Sequence, residues 1–398
     1  MNSLVPEEKY TPPPYPLEAL RGEYLKRERF TRKYLPMFAG VFGLLLLLSC
    51  CVSERMGALP DRKEKKEFAK FPNYSPEEGK FLNEEKVIMR LPKGPKGKWG
   101  LFRFIFSSGN APEEELAMVT PAKKDFPEKR DDFSVRWLGH STLLVEMGGV
   151  RLMTDPVFGN AAPIPGVLRR YAKPPIPIKE LPELDLVLIS HDHYDHLEYR
   201  FIRKMRYKNV IFLCPYGVGA RLRSWGIANK HIKELNWGES FVFKNLKITS
   251  TPGRHFSGRS WSDRDATLWS SYILEASGKK FFFGGDSGYG RHFAAIGEKY
   301  GPFDLVAMEI DAWNEKWPNN HIFPHEVPRA VKELKGKLFL PIHWGVFDMA
   351  GHKWDLSIEM VCNEWKKSTD PAPLVTPLMG EKFFPAAPPE PRFWWKKR

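Results

Sequence analysis

Between Phe133 and Phe384 the chain repeats one pattern, a run of four to eight apolar residues that ends in a short polar segment. It reads SVRWLGHSTLLVEM from Ser134, then VRLMTDP, LDLVLISHDHYDH, NVIFLCP, LKITSTPGRHF, KKFFFGGDSGY, DLVAMEI and KLFLPIHWG. Short runs of Val, Ile, Leu and Phe predict buried strands. Segments of helical length lie between several of them, at Leu197–Tyr207, Val327–Leu334 and Leu356–Lys367. Strands alternating with helices predict one α/β layered domain over residues 131–385.

The flanks read differently. Within residues 1–52, a proline run at Pro12–Pro14 and the basic stretch KRERFTRK at Lys26–Lys33 precede the apolar segment MFAGVFGLLLLLSCCV, Met37–Val52. As a helix that segment reaches only ~24 Å, against a hydrocarbon core of ~30 Å. A basic flank, an apolar stretch, then small residues and Cys is the order of an export signal. Membrane association is therefore expected, through a processed leader or through a single retained signal anchor. Residues 53–130 are charged, rich in Pro and Gly and broken by PKGPKGKWG at Pro92–Gly100, which predicts an N-terminal arm wrapping the core. Residues 386–398 end in PPEPRFWWKKR, a tail expected to be too proline-rich to pack as an element and so to be disordered. Its mixture of aromatic and basic residues is that of an interfacial membrane anchor, a weak signal at six residues.

Composition narrows the partners. The 398 residues are 42% hydrophobic and 27% charged, which excludes wholesale disorder. Lys and Arg outnumber Asp and Glu by 61 to 48, a net charge of +13 that favours an anionic partner. Five of those cations lie in the KRERFTRK leader, so only the remainder bears on an anionic substrate. Four cysteines, at 50, 51, 214 and 362, make neither a disulfide framework nor a CxxC zinc pair. There is no Walker loop, no GxGxxG after a strand and no nucleic-acid-binding element, so no nucleic acid is expected.

The candidate chemistry sits at strand ends. One buried run leads directly into His191-Asp192-His193-Tyr194-Asp195-His196. Imidazole nitrogen and carboxylate oxygen suit zinc and neighbouring borderline metals. His191 and His193 can share one ion while Asp195 and His196 reach a second. His255, Asp286 and His343 then end three further runs, one candidate ligand each. Taken singly, these three read as a loop cap, a turn residue and a hydrogen-bonded rim histidine. The cluster does not, because so many polar groups at the mouth of a buried strand are costly to desolvate without a metal.

HxHxDH followed by single His, Asp and His resembles the signature of the metallo-β-lactamase superfamily. SHDHYDHLEY at Ser190–Tyr199 is similar to the corresponding block of the N-acylphosphatidylethanolamine-hydrolysing phospholipase D branch and its bacterial relatives, as are WLGHST, TDP, HFSGRS, DRDATLW, GDSGY and HIFPHE. Asp192 and Phe256 depart from the phospholipase pattern, and EIDAWNEKW at Glu309–Trp317 resembles the bacterial branch. The resemblance implies an αββα sandwich, two mixed sheets flanked by helices, with a binuclear site along one edge. It implies two divalent ions, expected to be zinc. His191, His193 and His255 would hold the first; Asp195, His196 and His343 the second; Asp286 would bridge them.

Such a pair activates a shared water, so no Ser or Cys nucleophile is needed. Besides Asp286, catalytic roles are expected of His321, lining the cavity, and of Asp192, protonating a leaving group or orienting its loop. Asp155 is expected to brace a ligand loop, His140 to act from behind the ligands, and Arg254, Arg259 and Arg264 to grip a phosphate. The implied reaction is hydrolysis of a phosphodiester in N-acylphosphatidylethanolamine-like lipids. The rivals are hydrolysis of a soluble lactone, β-lactam or phosphodiester, and a non-catalytic lipoprotein binding module, which seven filled ligand positions disfavour. Leu47-Leu48-Ser49-Cys50 resembles a bacterial lipobox, with Leu48 where a smaller residue is usual; it implies a lipidated Cys50 facing the periplasm or exterior.

Overall fold

The computed structural model describes residues 52–90, 109–128, 133–164 and 166–396. The basic leader, the apolar segment up to Cys51 and the Pro92–Gly100 stretch lie outside the described residues. The chain divides after Glu54, and the fold below belongs to the unit Arg55–Arg398. Among the described residues no helix is long and apolar enough to cross a membrane.

Helix α1 (Arg62–Phe68) starts at a capping box, in which Asp61 accepts from the Glu64 N–H and Glu64 accepts from the Asp61 N–H. The hairpin β1 (Tyr74–Ser75) and β2 (Lys80–Phe81) follows. Phe68, Tyr74 and Phe81 pack on Leu268 and Trp269 of the main body. Strands β3 (Ser134–Trp137), β4 (Leu143–Met147), β5 (Val150–Thr154) and β6 (Leu186–Leu188) come next, then α2 (Tyr199–Met205), β7 (Ile211–Pro215), α3 (Val218–Ser224) and β8 (Ile232–Leu235). The second half comprises β9 (Ser240–Phe243), β10 (Leu246–Thr251), β11 (Ser271–Ala276), β12 (Lys279–Phe283), α4 (His292–Tyr300) and β13 (Leu305–Glu309). It ends with α5 (Val327–Glu333), β14 (Phe339–Ile342), α6 (Leu356–Lys367) and β15 (Lys382–Phe383).

Two mixed sheets result. One runs β15-β3-β4-β5-β6-β7-β8, antiparallel up to β5 and parallel from β5 to β8. The other runs β14-β13-β12-β11-β10-β9, parallel from β12 to β14 and antiparallel elsewhere. The apolar runs are continuous because both faces of a strand are covered. In β6, Leu186 and Leu188 enter the core between the sheets, while Val187 joins Phe201, Ile202 and Leu222 of α2 and α3 on the outer side. β4 divides in the same way, Leu143 and Val145 inward and Leu144 outward. Helix–sheet–sheet–helix layering follows from that alternation, as the family resemblance implies.

The C-terminal tail differs from expectation. Trp395 is 4% exposed, and the ring of Trp394 stacks 5.2 Å from Trp344, which itself stacks 5.3 Å from Trp137. Thr376 Oγ1 donates to the Arg392 carbonyl and accepts its N–H, and the Trp395 indole donates to Glu359. Proline forbids a regular element here but not packing; each indole carries enough apolar area to anchor an irregular segment. These tryptophans are thus largely committed to the protein core rather than available as an interfacial anchor. Trp395→Ala should destabilise the fold by about 3 kcal/mol, read as a lowered urea unfolding midpoint. An unchanged midpoint would show that the tail does not pack in solution.

Candidate metal centre

The polar segments after β6, β10, β12 and β14 meet at one edge of the two sheets. His191 Nε2 stands 2.8 Å from His193 Nδ1, and His255 Nε2 lies 3.2 Å from the same atom. Beside this trio, His196 Nε2 is 3.3 Å from His343 Nε2, and Asp195 Oδ2 lies 3.2 and 3.4 Å from the two. Asp286 faces both groups: Oδ2 is 3.1 Å from His196, 3.7 Å from His255 and 3.9 Å from His191, while Oδ1 is 3.2 Å from His343. Donors bound 2.0–2.1 Å from a tetrahedral ion stand about 3.3 Å apart, so these separations suit convergence on cations. The seven residues expected as ligands come together in overlapping groups, each able to hold an ion.

The backbone is forced to reach this arrangement. His140, Asp155 and His343 adopt positive φ of 54°, 34° and 71°, each a strained conformation that persists only where the surroundings dictate it. Gly285, at φ +58°, has no substitute, since a Cβ there would stand 2.8 Å from the Ser190 side chain.

A buried carboxylate behind the ligands sets their tautomers. Asp155 accepts from the Ser190 backbone N–H at 2.7 Å, the Ser190 hydroxyl at 2.6 Å and His196 Nδ1 at 2.8 Å. With its proton committed to Asp155, Ser190 Oγ accepts from His191 Nδ1 at 2.9 Å. The Asn320 carbonyl accepts from His255 Nδ1 at 3.0 Å. His191 and His255 therefore present a bare Nε2 to the centre, while His196, which burial would lower but Asp286, Asp195 and Asp155 push well above the ordinary histidine value, turns its Nε2 toward Asp286. His140 donates from Nε2 to Asp195 Oδ2 at 2.9 Å, and its carbonyl accepts the His343 N–H. Asp155 and His140 brace ligands from outside the cluster, the placement expected of them.

Charge divides the cluster in two. Burial, reinforced by adjacent imidazoles, pushes His191 and His255 well below the ordinary histidine value and lowers His193 to about 4. In the other group burial also acts first, but Asp286, Asp195 and Glu309 override it and push His343 up to about 10. Asp286 is raised by burial and then held well below the usual carboxylate range by His196 and His343. One half offers neutral lone pairs and the other is rich in carboxylate, the two ligand states that divalent cations require. Asp286 Oδ1 is buried and has no well-aligned donor among the described residues, although His343 Nε2 is close. Such an oxygen costs about 1–3 kcal/mol unless a cation or donor satisfies it. The donor set fits metal.

Other expectations need revision. Asp192 is no proton donor: Oδ2 accepts from Arg221 at 3.1 and 3.2 Å, and Oδ1 accepts the Gly258 N–H at 2.7 Å. Burial raises its carboxyl, but Arg221, His193 and Arg259 outweigh burial and keep it below the normal range, hence ionised. Arg259 is spent on the carbonyls of Asp192, Leu197 and Arg55, and Arg254 on those of Tyr289 and Lys86, so neither is free to grip phosphate. Arg264 lies 4.2 Å over Phe256 and 3.4 Å from Asp265, with its side chain 38% exposed.

His321 donates from Nδ1 to Glu309 at 2.5 Å, its ring 5.0 Å from His255 and 5.6 Å from His343. Glu309 was missed as a site residue, although it ends a buried strand just as the ligands do. Arg221 was missed because its partners lie 29 and 42 residues away, on no sequence period.

Comparison with known proteins agrees with this geometry. The family model described as "Beta-lactamase superfamily domain" matches residues 150–344. An uncharacterized protein of Mycobacterium tuberculosis is 38% identical over 332 residues, 82% of this chain and 87% of that one. The N-acyl-phosphatidylethanolamine-hydrolyzing phospholipase D 1 of Caenorhabditis elegans is 36% identical over 279 residues, 64% of this chain and 78% of that one. The solved structure of a possible metal-dependent hydrolase from Veillonella parvula superposes with TM-score 0.53 at 15% identity, over 64% of this chain and 99% of that one, which speaks for the fold alone. By fold, ligand cluster and relatives together, this chain belongs to the metallo-β-lactamase superfamily of metal-dependent hydrolases.

Proposed function

We propose that the protein is a binuclear zinc phosphodiesterase of phospholipase D type, acting on N-acylphosphatidylethanolamine-like phospholipids at a membrane. The observation that carries this reading is Asp286, which faces His191 and His255 on one side and His196 and His343 on the other. His191, His193 and His255 are assigned to one ion, Asp195, His196 and His343 to the other, and Asp286 to both. When bound, two such ions supply a hydroxide at neutral pH and neutralise charge developing on the phosphoryl oxygens. The lipid reading draws on the Caenorhabditis elegans relative and on the export leader in the sequence.

His321 is assigned the leaving-group proton. Burial lowers its pKa, but Glu309 more than compensates and holds the ring toward the protonated form. With Nδ1–H given to Glu309, the Nε2 proton is free for the departing N-acylethanolamine oxygen, and phosphatidic acid remains. A second reading keeps these residues and takes a soluble lactone, β-lactam or phosphodiester. The cavity beside the ligand loop, lined by Tyr194, Glu198, Arg55 and Arg259, holds about 130 Å³ and is lined by none of the seven ligands, so it does not select between the two substrates.

Detergent-solubilised, zinc-loaded protein should release N-acylethanolamine and phosphatidic acid from N-acylphosphatidylethanolamine, as followed by mass spectrometry. Turnover of a soluble lactone or phosphodiester with none of the lipid would select the second reading. Asp286→Asn should weaken both zinc ions together, whereas His343→Ala should strip mainly the second; equal zinc loss with full activity in both variants would refute the division. Protein extracted from the membrane of a bacterial host should begin at a lipidated Cys50, and an intact Met1 would favour the signal anchor.

A further inference from the structure

The loops carrying His193 and His255 are joined by a network that none of the ligand assignments uses. At its centre is Arg221 on α3, 1% exposed. Its guanidinium donates to Asp192 Oδ2 from Nε and Nη2, to Asp263 Oδ2 from Nη2 at 2.6 Å, and to the Gly57 carbonyl from Nη1 at 3.1 Å. Asp192 lies between His191 and His193 in the chain. Asp263 closes the loop after His255, its Oδ1 accepting the N–H groups of Arg259 at 2.9 Å and Ser260 at 2.7 Å. The same two loops meet directly through Gly258 N–H to Asp192, Arg259 to the Asp192 carbonyl, and Tyr194 Oη–H to the Arg259 carbonyl at 3.0 Å. Gly258 sits at φ +132°, where side chains are strained, and a Cβ would stand a tight 3.1 Å from Asp263 Oδ1.

Such a network is a poor way to gain stability. Arg221, Asp192, Asp263 and Arg259 are all buried, so two cations and two anions lose their water together. Buried ionic sets can often be exchanged for apolar residues without loss of stability. What a planar guanidinium held by two carboxylates does supply is fixed geometry, since its donors are set in one plane. Here that geometry fixes the distance between one strand-end loop and another. His193, the half-buried member of the trio, and His255, 3.2 Å from it, are the rings whose spacing depends on it.

We propose that Arg221 is a positioning residue that clamps the His193 and His255 loops through Asp192 and Asp263, and so sets the affinity of the three-histidine cluster for its cation without touching that cation. The proposal rests on the reading above that His191, His193 and His255 share one ion.

The test is a competition titration of zinc against a chelating indicator on the full chain in detergent, which resolves two affinities, with His193→Ala marking the ion held by the trio. Removing a group that braces metal ligands typically weakens the metal by roughly 10- to 100-fold. Arg221→Met is expected to weaken the marked ion by that factor and leave the other within twofold; Arg221→Lys, which keeps the charge and loses the fork, should fall between it and wild type. Where Arg221→Met fails to fold, Asp263→Asn takes its place, because it keeps an acceptor for the Arg259 and Ser260 N–H groups and removes the charge Arg221 holds. A selective loss supports the clamp, since general loosening of the fold would weaken both ions. If His193→Ala weakens one ion while the Arg221 and Asp263 variants weaken neither or both equally, the clamp is overturned and the ligand assignment stands. If His193→Ala leaves both affinities unchanged, the ligand assignment falls and the clamp with it.

Discussion

Asp286 is a carboxylate buried among imidazoles, and most of the molecule can be understood as the means of keeping it there. In isolation the group would take a proton, because burial disfavours its charge. The His196 and His343 rings at 3.1 and 3.2 Å reverse that outcome and keep it anionic. Those rings are in turn held by Asp155, Asp195 and the backbone of His140. A buried polar network of this kind is favourable only when almost every member is satisfied. The unsatisfied oxygen on Asp286, Oδ1, is therefore informative, because it is buried 3.2 Å from His343 Nε2 with no well-aligned donor among the described residues.

The two sheets make such convergence possible. β6, β12 and β14 all belong to parallel stretches of their sheets, and each delivers its following loop to the same edge. Rigid strands below fix where each loop begins, and hydrogen bonds among the loops above fix the rest. The arm adds to it from outside, where Asn83 accepts the His255 N–H and donates to its carbonyl. Residues far apart in the chain thus hold one histidine from both sides.

What could be read from the sequence follows from these physical differences. The strands were legible because both faces are covered, which turns alternation into continuous apolar runs such as LDLVLIS. The ligands were legible because His191–His196 concentrates costly polar groups at one strand end. Asp155 could be placed behind them because a ligand histidine needs an acceptor for its second nitrogen. Of the two roles open to Asp192, orienting its loop is the one that fits, and the choice could not be made locally, since nothing nearby in the chain announces that its partner is Arg221. Glu309 follows an apolar run as the ligands do, yet a lone carboxylate there carries no spacing signature. The tail was misjudged for a related reason: proline content reports on regular elements, whereas Trp394 is held by stacking on Trp344 and Trp395 by an edge-to-face contact with the same ring.

The state of Asp192, which orients its loop and donates no proton, also bears on how the site is divided. A protonated acid beside His193 would have put the leaving-group proton on the side of the three-histidine cluster. With Asp192 ionised and bound to Arg221, that side has no proton to give, and its imidazoles are themselves depressed by burial. His321 stands between His255 and His343 and is the ring that Glu309 keeps toward its protonated form. Acid and base duties are then separated by environment rather than by residue type, as is usual where neighbouring titratable groups are pushed in opposite directions. On the proposed reading the departing oxygen would leave on the Glu309 side of Asp286, where His321 stands.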